Sequence, residues 1–126
     1  MHNIILTRRL YRLYDPFPVI GLTWKMNLDR VVPVTRFRSE EYRTPHYHSG
    51  RVRYWVEMIL QGEEIPPLLI DNHCEGLTIY AEPILLDGHH RFAAAILTGQ
   101  RTLPISYGGR VDLLRYLKGI GPLPQD

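Results

Sequence analysis

Hydrophobic and polar positions alternate in short blocks whose spacing changes along the chain. In "RVRYWVEMILQG", Val52, Trp55, Val56, Ile59 and Leu60 recur at helical spacing and predict an amphipathic helix with one apolar stripe. Ser49 is its candidate N-cap and Gly62 its C′ residue. "PPLLID" predicts a strand with Pro66 and Pro67 at its start, where a missing N–H is tolerated. "DNHCEG" reads as a hairpin or loop, and "GLTIYAEPILLDG" as strand interrupted near Glu82 and Pro83. Then come a second helix, "RFAAAILTG", ending at Gly99, a strand, "TLPISY", and a third helix, "GRVDLLRYLKG", ended by Gly119. The first part of the chain is less regular. "YDPFPVIG" breaks any continuous element, so residues 1–27 read as an N-terminal extension packed on the core. "LDRVVPVT" predicts a short strand from its β-branched residues, and "RFRSEEYRTPHYHSG" a loop or short helical turn. Helices alternating with short strands predict an α/β or α+β layer structure.

Composition narrows this picture without redirecting it. At 126 residues the chain suits one domain with one core, assigned to residues 28–119 with a short tail over 120–126. Hydrophobic content of 44% and charged content of 22% are ordinary for a globular protein. A single cysteine, Cys74, excludes an internal disulfide framework, and a reducing cytoplasm is the simplest home. No apolar run approaches the ~20 residues a membrane span needs, so no membrane partner is expected. The opening "MHNIILTRRLYRLYD" makes a poor signal peptide, because its apolar burst stops at Arg8 and Arg9.

The densest chemical signal is "ILLDGHHRFAAAILTG". An apolar strand stops at Asp87-Gly88, a strong turn dipeptide, and a helix follows. The first N–H groups of a helix lack intrahelical partners, and with the positive end of the helix dipole they attract anions. Gly88 lets a phosphate approach the backbone without a Cβ in the way, and Arg91 adds a charge-assisted fork. Ala93, Ala94 and Ala95 would let this helix lie close to a sheet. A strand–turn–helix junction without a ligand has the same spacing, so the pattern alone leaves both readings open.

The same segment resembles the phosphate-binding segment of the ParB/sulfiredoxin-like superfamily. Its Gly-x-x-Arg-x-x-Ala pattern falls on Gly88, Arg91 and Ala94, followed by Gly99 and the strand Thr102-Leu103-Pro104-Ile105. Upstream, "LDRVVPVTRFR" is similar to the family's opening strand and arginine region, and "WVEMILQGEEIPPLLID" to its helix–Gly–strand unit. The resemblance thus covers roughly residues 28–107 and implies a compact α/β (α+β) domain, with helices packed around a small mixed sheet. It also implies a bound nucleotide, ATP or another NTP, with Mg²⁺ accompanying it. Sulfiredoxins carry a cysteine after the motif glycine; here that residue is His89, which excludes their repair chemistry. Partition ParB proteins need a downstream helix-turn-helix domain, and the C-terminal segment supplies only one helix. Free serine kinases of this fold carry Asp-Gly-His-x-Arg, similar to Asp87, Gly88, His89 and Arg91. The resemblance then implies phosphoryl transfer or NTP hydrolysis, with Glu40 or Glu41 as the upstream base. Asp87 would orient Mg²⁺ or the motif, and His89 or His90 would contact phosphate or move a proton.

Charge distribution supplies an alternative. Residues 1–53 hold ten Lys/Arg and four Asp/Glu, against five and nine in residues 54–126. Arg36, Arg38 and Arg43 with Tyr42 and Tyr47 would suit a nucleic-acid backbone or a nucleotide tail. A DNA-binding or nuclease accessory protein of a mobile element is therefore the competing reading, and a non-catalytic interaction module a further one. His46 and His48 would join His89 and His90 as metal ligands only if "PHYHS" is extended, since alternate residues share a face in a strand.

Overall fold

The computed structural model describes residues 2–20 and 45–125, the side chains of residues 45–47 excepted. Among the described residues are four helices and one four-stranded mixed sheet, an α+β arrangement. In chain order they are β1 (Asn3–Leu6), α1 (Thr7–Leu13), α2 (Pro45–Leu60), β2 (Leu68–Glu75), β3 (Thr78–Asp87), α3 (His89–Thr98), β4 (Thr102–Tyr107) and α4 (Val111–Leu117). They fall into two units, each assembled from segments distant in sequence. One comprises residues 1–14, 66–88 and 100–126; the other comprises residues 15–65 and 89–99.

The first unit holds the sheet, in the order β1-β4-β2-β3. β2 and β3 form an antiparallel hairpin, β2 and β4 run parallel, and β1 closes antiparallel on β4. β2 alternates as its sequence dictates, with Leu68, Ile70 and Asn72 buried and Leu69 and Asp71 exposed. Leu103 and Ile105 of β4 are fully buried, as are Leu10 of α1 and Leu113 and Leu117 of α4. Both helices touch β1 and each other, which covers the apolar side.

Three expectations change here. The N-terminal stretch is not irregular: Asn3–Leu6 pairs with β4 in the register Asn3↔Ile105 to Leu6↔Thr102, and a helix follows directly. Four residues are too few for a period to show, and only the distant partner strand fixes them. Asp71–Glu75 belongs to β2, with the hairpin turn at Gly76, whose φ of 59° suits glycine. β3 is continuous through Glu82 and Pro83. Among the described residues it is an edge strand, where proline is tolerated, and it absorbs the irregularity as register shifts opposite Leu69/Ile70 and Asn72/Cys74.

The second unit holds α2 and α3, which lie against each other, with Phe17 and Ile20 also buried. α2 is described from Pro45, so Ser49 is a buried interior residue and not the N-cap. The buried stripe is Ser49, Val52 and Val56, whereas Leu60 is 72% exposed. The C-terminal end is as expected. Gly62 has φ 82°, and the Gly62 and Glu63 N–H groups donate to Ile59 and Met58 carbonyls, both at 3.0 Å.

Candidate functional site

β3 ends at the exposed Asp87, Gly88 follows with φ 107°, and α3 begins at His89. That φ lies where a side chain is strained, so Gly88 has a conformational reason to be glycine that requires no ligand. α3 carries no acidic residue in its first turn, which leaves the positive end of its dipole without a carboxylate from that turn. His89 and His90 are half-buried there.

Arg91 is 9% exposed, and its guanidinium sits 5.8 Å from the centre of the Trp55 ring on α2. Arg51, one helical turn before Trp55, reaches the same indole at 5.9 Å and the Tyr54 ring at 5.3 Å. Guanidinium planes and aromatic faces attract, so the Trp55 indole stands at the outer range of a cation–π contact with two arginines. The apolar spacing of α2 identified Trp55 only as a core residue.

α2 also delivers His48 to His90. Their Nδ1 and Nε2 atoms are 2.8 Å apart, one donating its N–H to the lone pair of the other, and the rings stack at 5.1 Å with 20° between planes. Burial holds both imidazoles below their usual range. For His90 the nearby His48, Arg51, His89 and Arg91 push in the same direction, down to about 4. The pair is therefore neutral near pH 7.

Other sequence candidates fare differently. Glu40, Glu41, Arg36, Arg38, Tyr42 and Arg43 lie outside the described residues, and Tyr47 is described only as backbone of α2. His46 and His48 are both on that helix, about 200° apart around its axis, so the shared face an extended segment would give is lost. Among the described residues no three His, Cys, Asp or Glu converge on a metal-sized position. Asp87, the residue the sequence offered for Mg²⁺, is an exposed carboxylate at the end of β3. In "DNHCEG", His73 meets Glu75 at 3.3 Å and stacks on Tyr80, while the Cys74 thiol donates to the Asn72 carbonyl at 3.4 Å.

One polar cluster escaped sequence reasoning. Asn72 is 4% exposed; its amide donates to the Tyr80 carbonyl at 3.1 Å and its Oδ1 accepts from the Tyr107 hydroxyl and, at 3.0 Å, the Arg110 N–H. Arg110 in turn forks onto Asp112 at 3.0 and 2.6 Å. A Cβ on Gly109 would lie 1.9 Å from Asn72 Oδ1, so only glycine fits against this amide. The signal was available: Asn72 stands at an inward position of the Leu68–Ile70 alternation, where a polar residue needs partners.

No family model matches the chain, and neither curated proteins nor solved structures give a significant match.

Proposed function

We propose that the chain is a nucleotide-binding domain of ParB/sulfiredoxin-like type. It takes the phosphates of ATP or another NTP at the start of α3, with Gly88 and the first-turn residues His89, His90 and Arg91 around them. The observation that carries this reading is the helix start itself: a positive-φ glycine, then a first turn holding two histidines and an arginine and no carboxylate. Such a turn offers backbone N–H donors and a positive dipole end to an anion. Mg²⁺ would bind through the phosphates and Asp87 and neutralise charge during phosphoryl transfer or hydrolysis. Calorimetric titration with ATP, with and without Mg²⁺, tests the reading. Binding that weakens at least about tenfold in Arg91→Ala or His89→Ala, the loss of one charge-assisted hydrogen bond, is expected. A wild-type protein that binds neither ATP nor inorganic tripolyphosphate overturns it.

A second reading, contact with nucleic acid, has its own support. A cavity of about 410 Å³ is lined by Arg8, Arg9 and Arg12 of α1 among the described residues. Arg9 also donates to the Tyr116 and Gly121 carbonyls at 3.0 and 3.1 Å, whereas Arg8 and Arg12 are exposed one turn apart.

A further inference from the structure

Three of the seven residues of α1 are arginines, and all three line one cavity of about 410 Å³. Arg8 and Arg12 stand at i and i+4, and Arg9 and Arg12 at i and i+3, so the three share one side of the helix. Like charges at these spacings oppose helix formation, and an anion between them removes that opposition. Arg9 differs from the other two in being held. Its Nη1 donates to the Tyr116 and Gly121 carbonyls at 3.0 and 3.1 Å, and its guanidinium lies 4.7 Å from the centre of the Tyr116 ring. Tyr116 is a buried residue of α4 and Gly121 follows that helix, so main chain of the same unit fixes the guanidinium. Both bonds use one nitrogen. A guanidinium has five N–H donors, so Nε and Nη2 keep an edge that forks onto two oxygens of one anion. Arg8 and Arg12 are exposed, and their long stems let both charges close on the same space.

We propose that this cavity binds a phosphate monoester, with Arg9 as the fixed fork and Arg8 and Arg12 closing on the remaining oxygens. The inference rests on the second reading above, that α1 meets phosphate, and names the group recognised; it uses no residue of the α3 site. A monoester near pH 7 carries about 1.5–2 negative charges and three terminal oxygens. A backbone diester carries about one charge per phosphate, so three guanidiniums around one space match the monoester better. The side chains carry the site, and the start of this short helix is not required. The cavity falls within the ~300–1,000 Å³ typical of small-ligand sites, room for a phosphate together with the group that bears it. The same chemistry has two sources: the phosphorylated end of a nucleic-acid strand, or a free phosphorylated small molecule. Binding is non-covalent in either case.

Fluorescence anisotropy on the whole chain, with a short labelled single-stranded DNA carrying either a 5′-phosphate or a 5′-hydroxyl, tests this beside calorimetric titration with phenyl phosphate. Where the strand end is the source, the phosphorylated strand should bind at least about tenfold more tightly, the gain of one charge-assisted fork. Where a free molecule is the source, phenyl phosphate alone should bind. Either effect should be lost in Arg8→Ala/Arg12→Ala, two exposed positions whose folding circular dichroism checks, and in Arg9→Lys, which keeps the charge without the fork. If both strands bind alike and phenyl phosphate does not bind, the monoester site is overturned while contact of α1 with a nucleic-acid backbone stands. If no strand and no phenyl phosphate binds, both fall. An effect that survives in the double variant places the monoester elsewhere, and the assignment to α1 fails.

Discussion

His90 carries the clearest consequence of its surroundings. Its pKa is pushed down to about 4 by burial first and then by His48, Arg51, His89 and Arg91, from an ordinary value of 6.5. In the unfolded chain the imidazole protonates near 6.5, so on acidification the unfolded state takes up this proton first. The folded state therefore loses stability as pH falls from about 6.5 toward 4, and above that window the contribution is constant. Urea midpoints measured at pH 7.5 and pH 5 should show a drop that is clearly smaller in His90→Gln; an equal drop in both proteins would place the effect on other groups. The residue-level candidates Gly88, His89, His90 and Arg91 were legible because they are consecutive and stand at a strand-to-helix change. The partners His48, Arg51 and Trp55 were not, since nothing local ties position 48 to position 90. Asn72 could have been read from the alternation of β2, but its partners Tyr107 and Arg110 lie 35 and 38 residues further on.

At the scale of elements, helix ends were more legible than helix beginnings. Gly62, Gly99 and Gly119 all adopt positive φ just past the last helical turn, as their positions in the sequence required. Past α4, the Gly119 and Ile120 N–H groups donate to the Tyr116 and Arg115 carbonyls at 2.9 and 3.0 Å, repeating the pattern at Gly62. Gly62→Ala should cost about 1 kcal/mol, the strain of a left-handed conformation, because nothing lies within 4 Å of an added Cβ. Gly119→Ala should cost somewhat more, up to about 2 kcal/mol, because its Cβ would stand 2.8 Å from Leu6 Cδ1 in β1 and that side-chain tip must turn aside. Denaturant midpoints with unchanged slopes check the pair, and an equal loss at both sites would remove the role given to Leu6. The cap read at Ser49 was wrong because the described helix already runs from Pro45, four residues earlier, and nothing in the apolar spacing of 52–60 marks that stretch as helical. β1 was missed because four residues carry no period.

For the whole molecule, charge is uneven: residues 1–53 carry about +6 and residues 54–126 about −4. If the arginines of α1 meet a nucleic-acid backbone, the logarithm of DNA affinity should fall with the logarithm of salt by about 0.9 per phosphate contacted. The double change Arg8→Ala/Arg12→Ala should then reduce that slope by about 2, as two exposed contacts are lost. An unchanged slope in a gel-retardation series would remove α1 from any such interface. No described helix is long and apolar enough to cross a membrane. By itself the sequence determined the order of strands and helices in its second half, though not the extent of β2 and β3, together with the helix-ending glycines and the α+β class, because period and turn chemistry are properties of neighbouring residues. Only the tertiary structure decided that residues 3–6 close a sheet with residues 102–105, and that the sheet and the helix pair draw on interleaved segments. It alone brought His48 of α2 to His90 at the start of α3. Strand pairing and side-chain packing act through space, so they join positions whose separation along the chain leaves no local trace. In "ILLDGHHRFAAAILTG" the second histidine is therefore a member of a pair, and its chemistry depends on a helix that starts more than forty residues earlier.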